Sequence, residues 1–206
     1  MANGVTGWNG VFSVYPLRKL LKGAIIPFLF LVISIAVYFM GEKHTPIDLM
    51  KKVADIITSG FPSIIGFVLT GYALIIGFSD TELVGKMAHI EVDKEGHSYF
   101  EVVSSIFAVV LGVVVLTYIT ACLVSYVLEL QISWPFDDNC ADCFNTLCFF
   151  IFLFLFYYSI FALLDIIVNI FNIGQYANAV AQNKIKDEEA KNDNYIAKIL
   201  KFIFSW

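Results

Sequence analysis

Apolar and polar positions divide the chain into long apolar runs separated by shorter charged stretches. Each run approaches or exceeds the roughly 20 residues that carry an α-helix across bilayer hydrocarbon. The pattern predicts spans at about 24–40, 61–79, 100–128 and 146–173. The expected fold class is all-α and integral to a membrane, because a helix satisfies its own backbone donors and acceptors in lipid.

Punctuation residues set the ends of these runs. Pro27 falls in the opening turns of the first span, where its missing N–H costs least, and Gly41 closes it. Thr45, Pro46 and Asp48 read as a helix start with proline at the first helical position. Over 46–58, Asp48, Lys51, Lys52 and Asp55 share one face while Leu49, Met50, Val53, Ile56 and Ile57 cover the other, which predicts an interfacial helix. Ser59, Gly60 and Pro62 are expected to break it before the second span, the alternative being one long kinked helix. Ser98 and Glu101 form a capping box ahead of the third span. The fourth run, rising about 1.5 Å per residue, outlasts the hydrocarbon core and should project from it or tilt. Residues 183–206 read as a polar tail ending in an amphipathic helix over 195–206, with Asn194, Lys198, Lys201 and Ser205 on its polar face.

Four crossings put both termini on one side, and basic residues choose the side. With both ends cytoplasmic, the inside receives Arg18, Lys19, Lys22, Lys86, Lys94, Lys184, Lys186, Lys191, Lys198 and Lys201, and the outside only Lys43, Lys51 and Lys52. Residues 1–23 are then a cytoplasmic juxtamembrane segment. Composition agrees with membrane residence: the 206 residues are 59% hydrophobic and 15% charged, with mean hydropathy +0.77. The net charge of -5 says little about partners, since the bilayer separates the charges into two compartments. No basic start or small-residue cleavage motif marks a signal peptide, so the first run is expected to remain in the mature chain.

Two patterns inside the apolar runs carry more information than hydropathy. Ser63, Gly66, Thr70, Ala73 and Gly77 recur at alternating spacings of three and four, making a smooth ridge that another helix can approach closely. Ser105, Ala108 and Gly112 repeat that spacing on the third span. In the fourth, Tyr158, Ala162, Asp165, Asn169, Asn172 and Tyr176 form a polar stripe. Polar groups there are expensive unless they meet water, a partner or a proton. Copies of this helix around a water-filled path would satisfy them, with Asp165 attracting cations. Hydrogen bonding inside a sealed bundle, or a stripe already clear of the hydrocarbon, would satisfy them too. A chain with four spans is small for enclosing a path alone, so a homo-oligomer is the economical arrangement. Phe161 and Ile173 could form a hydrophobic constriction beside the stripe.

Candidate chemistry is sparse. Cys140 and Cys143, in the connection before the fourth span, have the C-x-x-C spacing of a disulfide or of a dithiol redox site, and Asp137, Asp138 and Asp142 beside them could hold a cation weakly. Membrane thiol oxidases of four-helix type relay electrons through a second external pair, whereas Cys122 and Cys148 lie in or next to apolar runs and read as packing residues. No phosphate-loop, zinc-protease or nucleophile-elbow motif occurs, and His44, His89 and His97 are isolated in polar connections. No catalytic residue, metal site or cofactor is expected.

The segment GFVLTGYALIIGF from Gly66 to Phe78, the charged connection after it and the four-span layout resemble small bacterial membrane effectors of anti-phage defence operons, the Hailong effectors among them. That resemblance implies an oligomeric ion channel of the inner membrane, held shut by a nucleotide-derived ligand such as DNA oligomers made by a companion enzyme, whose opening depolarises the cell. On charge alone, the positions to attract such an anion are Arg18, Lys19, Lys22, Lys184, Lys186, Lys191, Lys198 and Lys201.

Overall fold

A computed structural model of the chain describes residues 7–15, 17–41, 45–78, 85, 87–89, 96–130 and 138–203. They are almost entirely helical. In chain order the helices are α1 (Trp8–Val14), α2 (Leu17–Gly23), α3 (Ile25–Met40), α4 (Pro46–Phe78), α5 (Tyr99–Glu129) and α6 (Asp138–Ile203). Among the described residues, four stretches are long and apolar enough to cross a membrane: Arg18–Met40, Pro46–Gly77, Tyr99–Glu129 and Cys140–Gln175.

The cap motifs form as their residue types require. The Ser98 side chain accepts from the backbone N–H of Glu101, and the Glu101 carboxylate accepts from the backbone N–H of Ser98 at 2.8 Å. At the start of α4, the Asp48 N–H donates to Thr45 Oγ1 at 3.2 Å, and the threonine hydroxyl donates on to the Asp48 carboxylate at 2.6 Å.

Two expected boundaries are corrected. α4 runs unbroken from Pro46 to Phe78 with Pro62 inside it, so an interfacial helix at 46–58 separate from the span at 61–79 does not form. Proline removes one N–H, but Met50, Ala54, Ile57, Phe61 and Val68 are buried along one face on both sides of it, and that continuous packing outweighs one lost bond. Likewise α6 continues as helix through 183–203, so the helix over 195–206 is no separate element; residues 204–206 lie outside the described residues. Past Gln175 the sequence turns from apolar to polar, with the first charge at Lys184. That stretch contains no proline and no run of glycine that would stop a helix.

The chain divides into two compact units, Met1–Ile166 and Ile167–Trp206. In the first unit, three helices present bulky inner stripes. α5 buries Val103, Phe107, Val110, Val114, Thr117 and Ala121, α4 buries Met50, Ala54, Ile57, Phe61 and Val68, and α6 buries Phe149, Phe152, Ser159 and Ile166. The steps of three, four and seven are those of a coiled-coil seam, the packing that lets neighbouring helices cross at a shallow angle. Polar and aromatic contacts join the helices. Thr117 Oγ1 and Ser159 Oγ share a buried hydrogen bond of 2.5 Å between α5 and α6; one hydroxyl donates across it, and the accepting one donates its own proton to the carbonyl four residues earlier. The Ser34 hydroxyl meets the Tyr157 hydroxyl at 2.8 Å between α3 and α6, beside Phe30 and Phe161, whose ring centroids are 5.1 Å apart. Phe61 stacks near Phe156 at 6.3 Å, and Tyr72 lies 5.2 Å from Phe107.

The small-residue faces lie on the far side of these seams. At 100° per residue, two positions are 200° around the helix, so Ser63, Thr70, Ser105 and Gly112 point away from the stripes through Phe61, Val68, Val103 and Val110. On α5 the Trp8 indole of α1 lies over Gly112, where a Cβ would be 3.0 Å from its ring, while Ser105 is buried and Ala108 is half-buried beside Val68 and Tyr72 of α4. On α4 the far face is uncovered. Ser63, Gly66, Thr70, Ala73 and Gly77 are all exposed, and a Cβ at Gly66 or Gly77 would meet nothing within 4 Å.

Candidate functional site

The turn from α2 into α3 forms one wall of a partly polar cavity in the first unit. α2 ends at Gly23, and the Ala24 N–H is shared between the carbonyls of Leu20 and Leu21 at 3.1 and 3.2 Å. The Leu20 carbonyl accepts a second bond, from the Tyr158 hydroxyl of α6 at 3.2 Å. That bond fixes the height of α6 against the start of the first span. Around it lies a cavity of about 280 Å³, walled by Tyr15, Lys22, Gly23 and Ile26 from the N-terminal helices, Val109, Val110 and Val113 from α5, and Tyr158, Phe161, Ala162 and Asp165 from α6.

Its walls are apolar except at four side chains: two phenols, one ammonium and one carboxylate. Burial, and after it the negative charge of Asp165, pushes the Tyr15 phenol above the ordinary tyrosine range, so this hydroxyl keeps its proton and remains a donor. The Lys19 ammonium lies 5.6 Å from the centre of the Tyr15 ring, close enough for a cation–π contact. Arg18, Lys19 and Lys22 are exposed along α2, so three cations stand around this end of the bundle.

Of the polar stripe, Tyr158, Ala162 and Asp165 meet at this cavity. Asn169 is half-buried and Asn172 exposed in the second unit. The side chains of Tyr176, Lys184, Lys186, Lys191, Lys198 and Lys201 lie outside the described residues. Lys22 thus lines the same cavity as Asp165. Phe161, expected as a constriction, packs on Phe30, and Ile173 is buried in the second unit. Tyr15 was not singled out by sequence; its one signal is an aromatic side chain three and four residues before the first basic pair.

The C-x-x-C pair is placed differently from expectation. Cys140 and Cys143 lie in the first turns of α6 rather than in a loop, exposed and with free thiols. Cys122 and Cys148 are free and half-buried, and Cys148 lines a second, nearly apolar cavity of about 440 Å³ with Met50, Leu123 and Val124. Comparison with protein-family models, curated proteins and solved structures returns no match.

Proposed function

We propose that this chain is one subunit of a homo-oligomeric ion channel. The observation that carries the reading is the uncovered ridge of α4. The small residues of α5 are buried or half-buried, with Trp8 of α1 over Gly112, while Ser63, Gly66, Thr70, Ala73 and Gly77 remain exposed along a helix of membrane length. Lipid tails gain little from such a groove, and a helix of a neighbouring copy gains dispersion contacts along its whole length. A ring of copies repeats the last helix around an axis, with the Asp165 carboxylates beside the path; such carboxylates favour cations.

The membrane proposed is a bacterial inner membrane with both termini cytoplasmic, the side favoured by Arg18, Lys19, Lys22 and the tail lysines. Gating by an anionic nucleotide or DNA oligomer in anti-phage defence is proposed from the resemblance of 66–78 and the layout alone. No catalytic role is proposed.

Two measurements test this. In lipid nanodiscs the particle should contain several copies, and Gly66→Leu should reduce it toward a single chain while leaving the helix content intact, since that side chain meets empty space in the protomer. In planar bilayers the purified chain should give discrete currents, with Asp165→Asn lowering cation preference. A particle of one 23.1 kDa chain, or bilayers that stay silent with oligomer present, would overturn the reading.

A further inference from the structure

The cavity between α2, α5 and α6 carries opposite charges on one small surface. Lys22 stands in the opening turns of the span Arg18–Met40, and Asp165 stands ten residues before the end of the span Cys140–Gln175. The Tyr158 bond to the Leu20 carbonyl fixes α6 against the start of the first span, and Lys22 and Asp165 both line the cavity beside it. The rest of the wall includes Ile26, Val109 and Val113, apolar side chains of helices long enough to cross a membrane.

We propose that this cavity is a site for an amine-bearing phospholipid, phosphatidylethanolamine, whose phosphate meets Lys22 and the phenol of Tyr15, whose ammonium meets Asp165, and whose acyl chain lies along Ile26 and Val113. Charge complementarity selects the occupant. A free phosphate or a phosphatidylglycerol headgroup would satisfy Lys22 and bring a second anion to Asp165. A choline headgroup has both charges, but its quaternary nitrogen carries no N–H to donate to a carboxylate. Ethanolamine supplies three N–H donors, and charge-assisted hydrogen bonds are about twice as strong as neutral ones. Size agrees: about 280 Å³ falls at the small end of ligand cavities, enough for a headgroup whose acyl chains remain in the bilayer. Tyr15 keeps its proton here and can donate to the phosphate, and Lys19 over its ring adds a second cation close by. Binding itself requires no conduction. If the channel reading holds, the seated ammonium offsets the Asp165 charge and ethanolamine lipid lowers cation preference.

The test uses the whole chain, stripped of lipid in detergent and offered one phospholipid at a time, with retained lipid counted by native mass spectrometry. Phosphatidylethanolamine should be retained about tenfold more strongly than its phosphatidylcholine counterpart, the order of one charge-assisted hydrogen bond. The N,N-dimethyl headgroup should fall between them, and phosphatidylglycerol should bind no better than choline lipid. Asp165→Asn should erase the preference for ethanolamine over choline, and Lys22→Gln should weaken every phospholipid alike. Equal retention of ethanolamine and choline lipids by the unmodified chain would overturn the proposal, a result that needs no variant to fold. So would an undiminished preference in Asp165→Asn of unchanged circular dichroism. Silent bilayers would leave this binding result standing, so the two readings fail separately.

Discussion

Trp8 lies directly over Gly112: a methyl group at the glycine would come within 3.0 Å of the indole Cη2. The seven-residue helix α1 is too short to be stable alone, and it persists because its aromatic side chains lie on α5, with Trp8 stacked near Phe12 at 5.9 Å. Gly112→Leu should therefore unseat the indole. Amide hydrogen exchange over Trp8–Val14 should quicken by about tenfold while the amides of α5 hold, since losing one such contact moves local opening by about 1.4 kcal/mol. Unchanged exchange would show that α1 is held elsewhere.

The Thr117 to Ser159 bond is buried inside the bundle and joins two spans. Removing one partner leaves the other its bond to its own helix carbonyl, so the loss is moderate. Thr117→Val should destabilise the chain by about 0.5–2 kcal/mol in a detergent unfolding titration. A double-mutant cycle with Ser159→Ala should return a coupling of the same sign.

Pro62 is exposed in the interior of α4. Because the helix continues through it, Pro62→Ala restores an N–H facing the Thr58 carbonyl and removes a ring clash. Stability should rise by about 1–3 kcal/mol, read as a higher thermal midpoint. A lower midpoint would mean that the proline itself supports the seam.

Tyr15 holds its proton more tightly in the folded chain than in the unfolded one. Its contribution to stability is constant below the ordinary tyrosine range near 10 and is lost as pH climbs through the folded value. Ring-labelled tyrosine NMR, with Tyr15→Phe for assignment, should find this residue titrating later than an exposed tyrosine. Asp165→Asn should bring it earlier while burial keeps it above the ordinary range. No movement on that substitution would place the carboxylate away from the phenol.

Hydropathy, caps and helical spacing were readable because each is a local property. Apolar length decides what can cross lipid, Ser98 and Glu101 need only three residues to find each other, and the residues facing one way follow from 100° per position. Composition misled where it was taken for a boundary. A proline and a charged segment change cost and surroundings, yet α4 passes Pro62 and α6 passes beyond 182 because neighbouring turns continue to favour helix.

By itself the sequence determined an all-helical chain with four apolar stretches of membrane length and the faces on which small, bulky and polar residues gather. Only the tertiary structure decided which face is the seam. In lipid both sides of a helix are apolar, so hydrophobicity does not separate a packed stripe from a lipid-facing one, and the choice falls to shape: Phe61, Val68, Val103 and Val110 point inward, and the ridge of Gly66 and Gly77 stands outside. Tertiary structure alone also brought Tyr15, Lys22 and Asp165 to one cavity, since long-range pairing of groups some 140 residues apart leaves no local periodic trace.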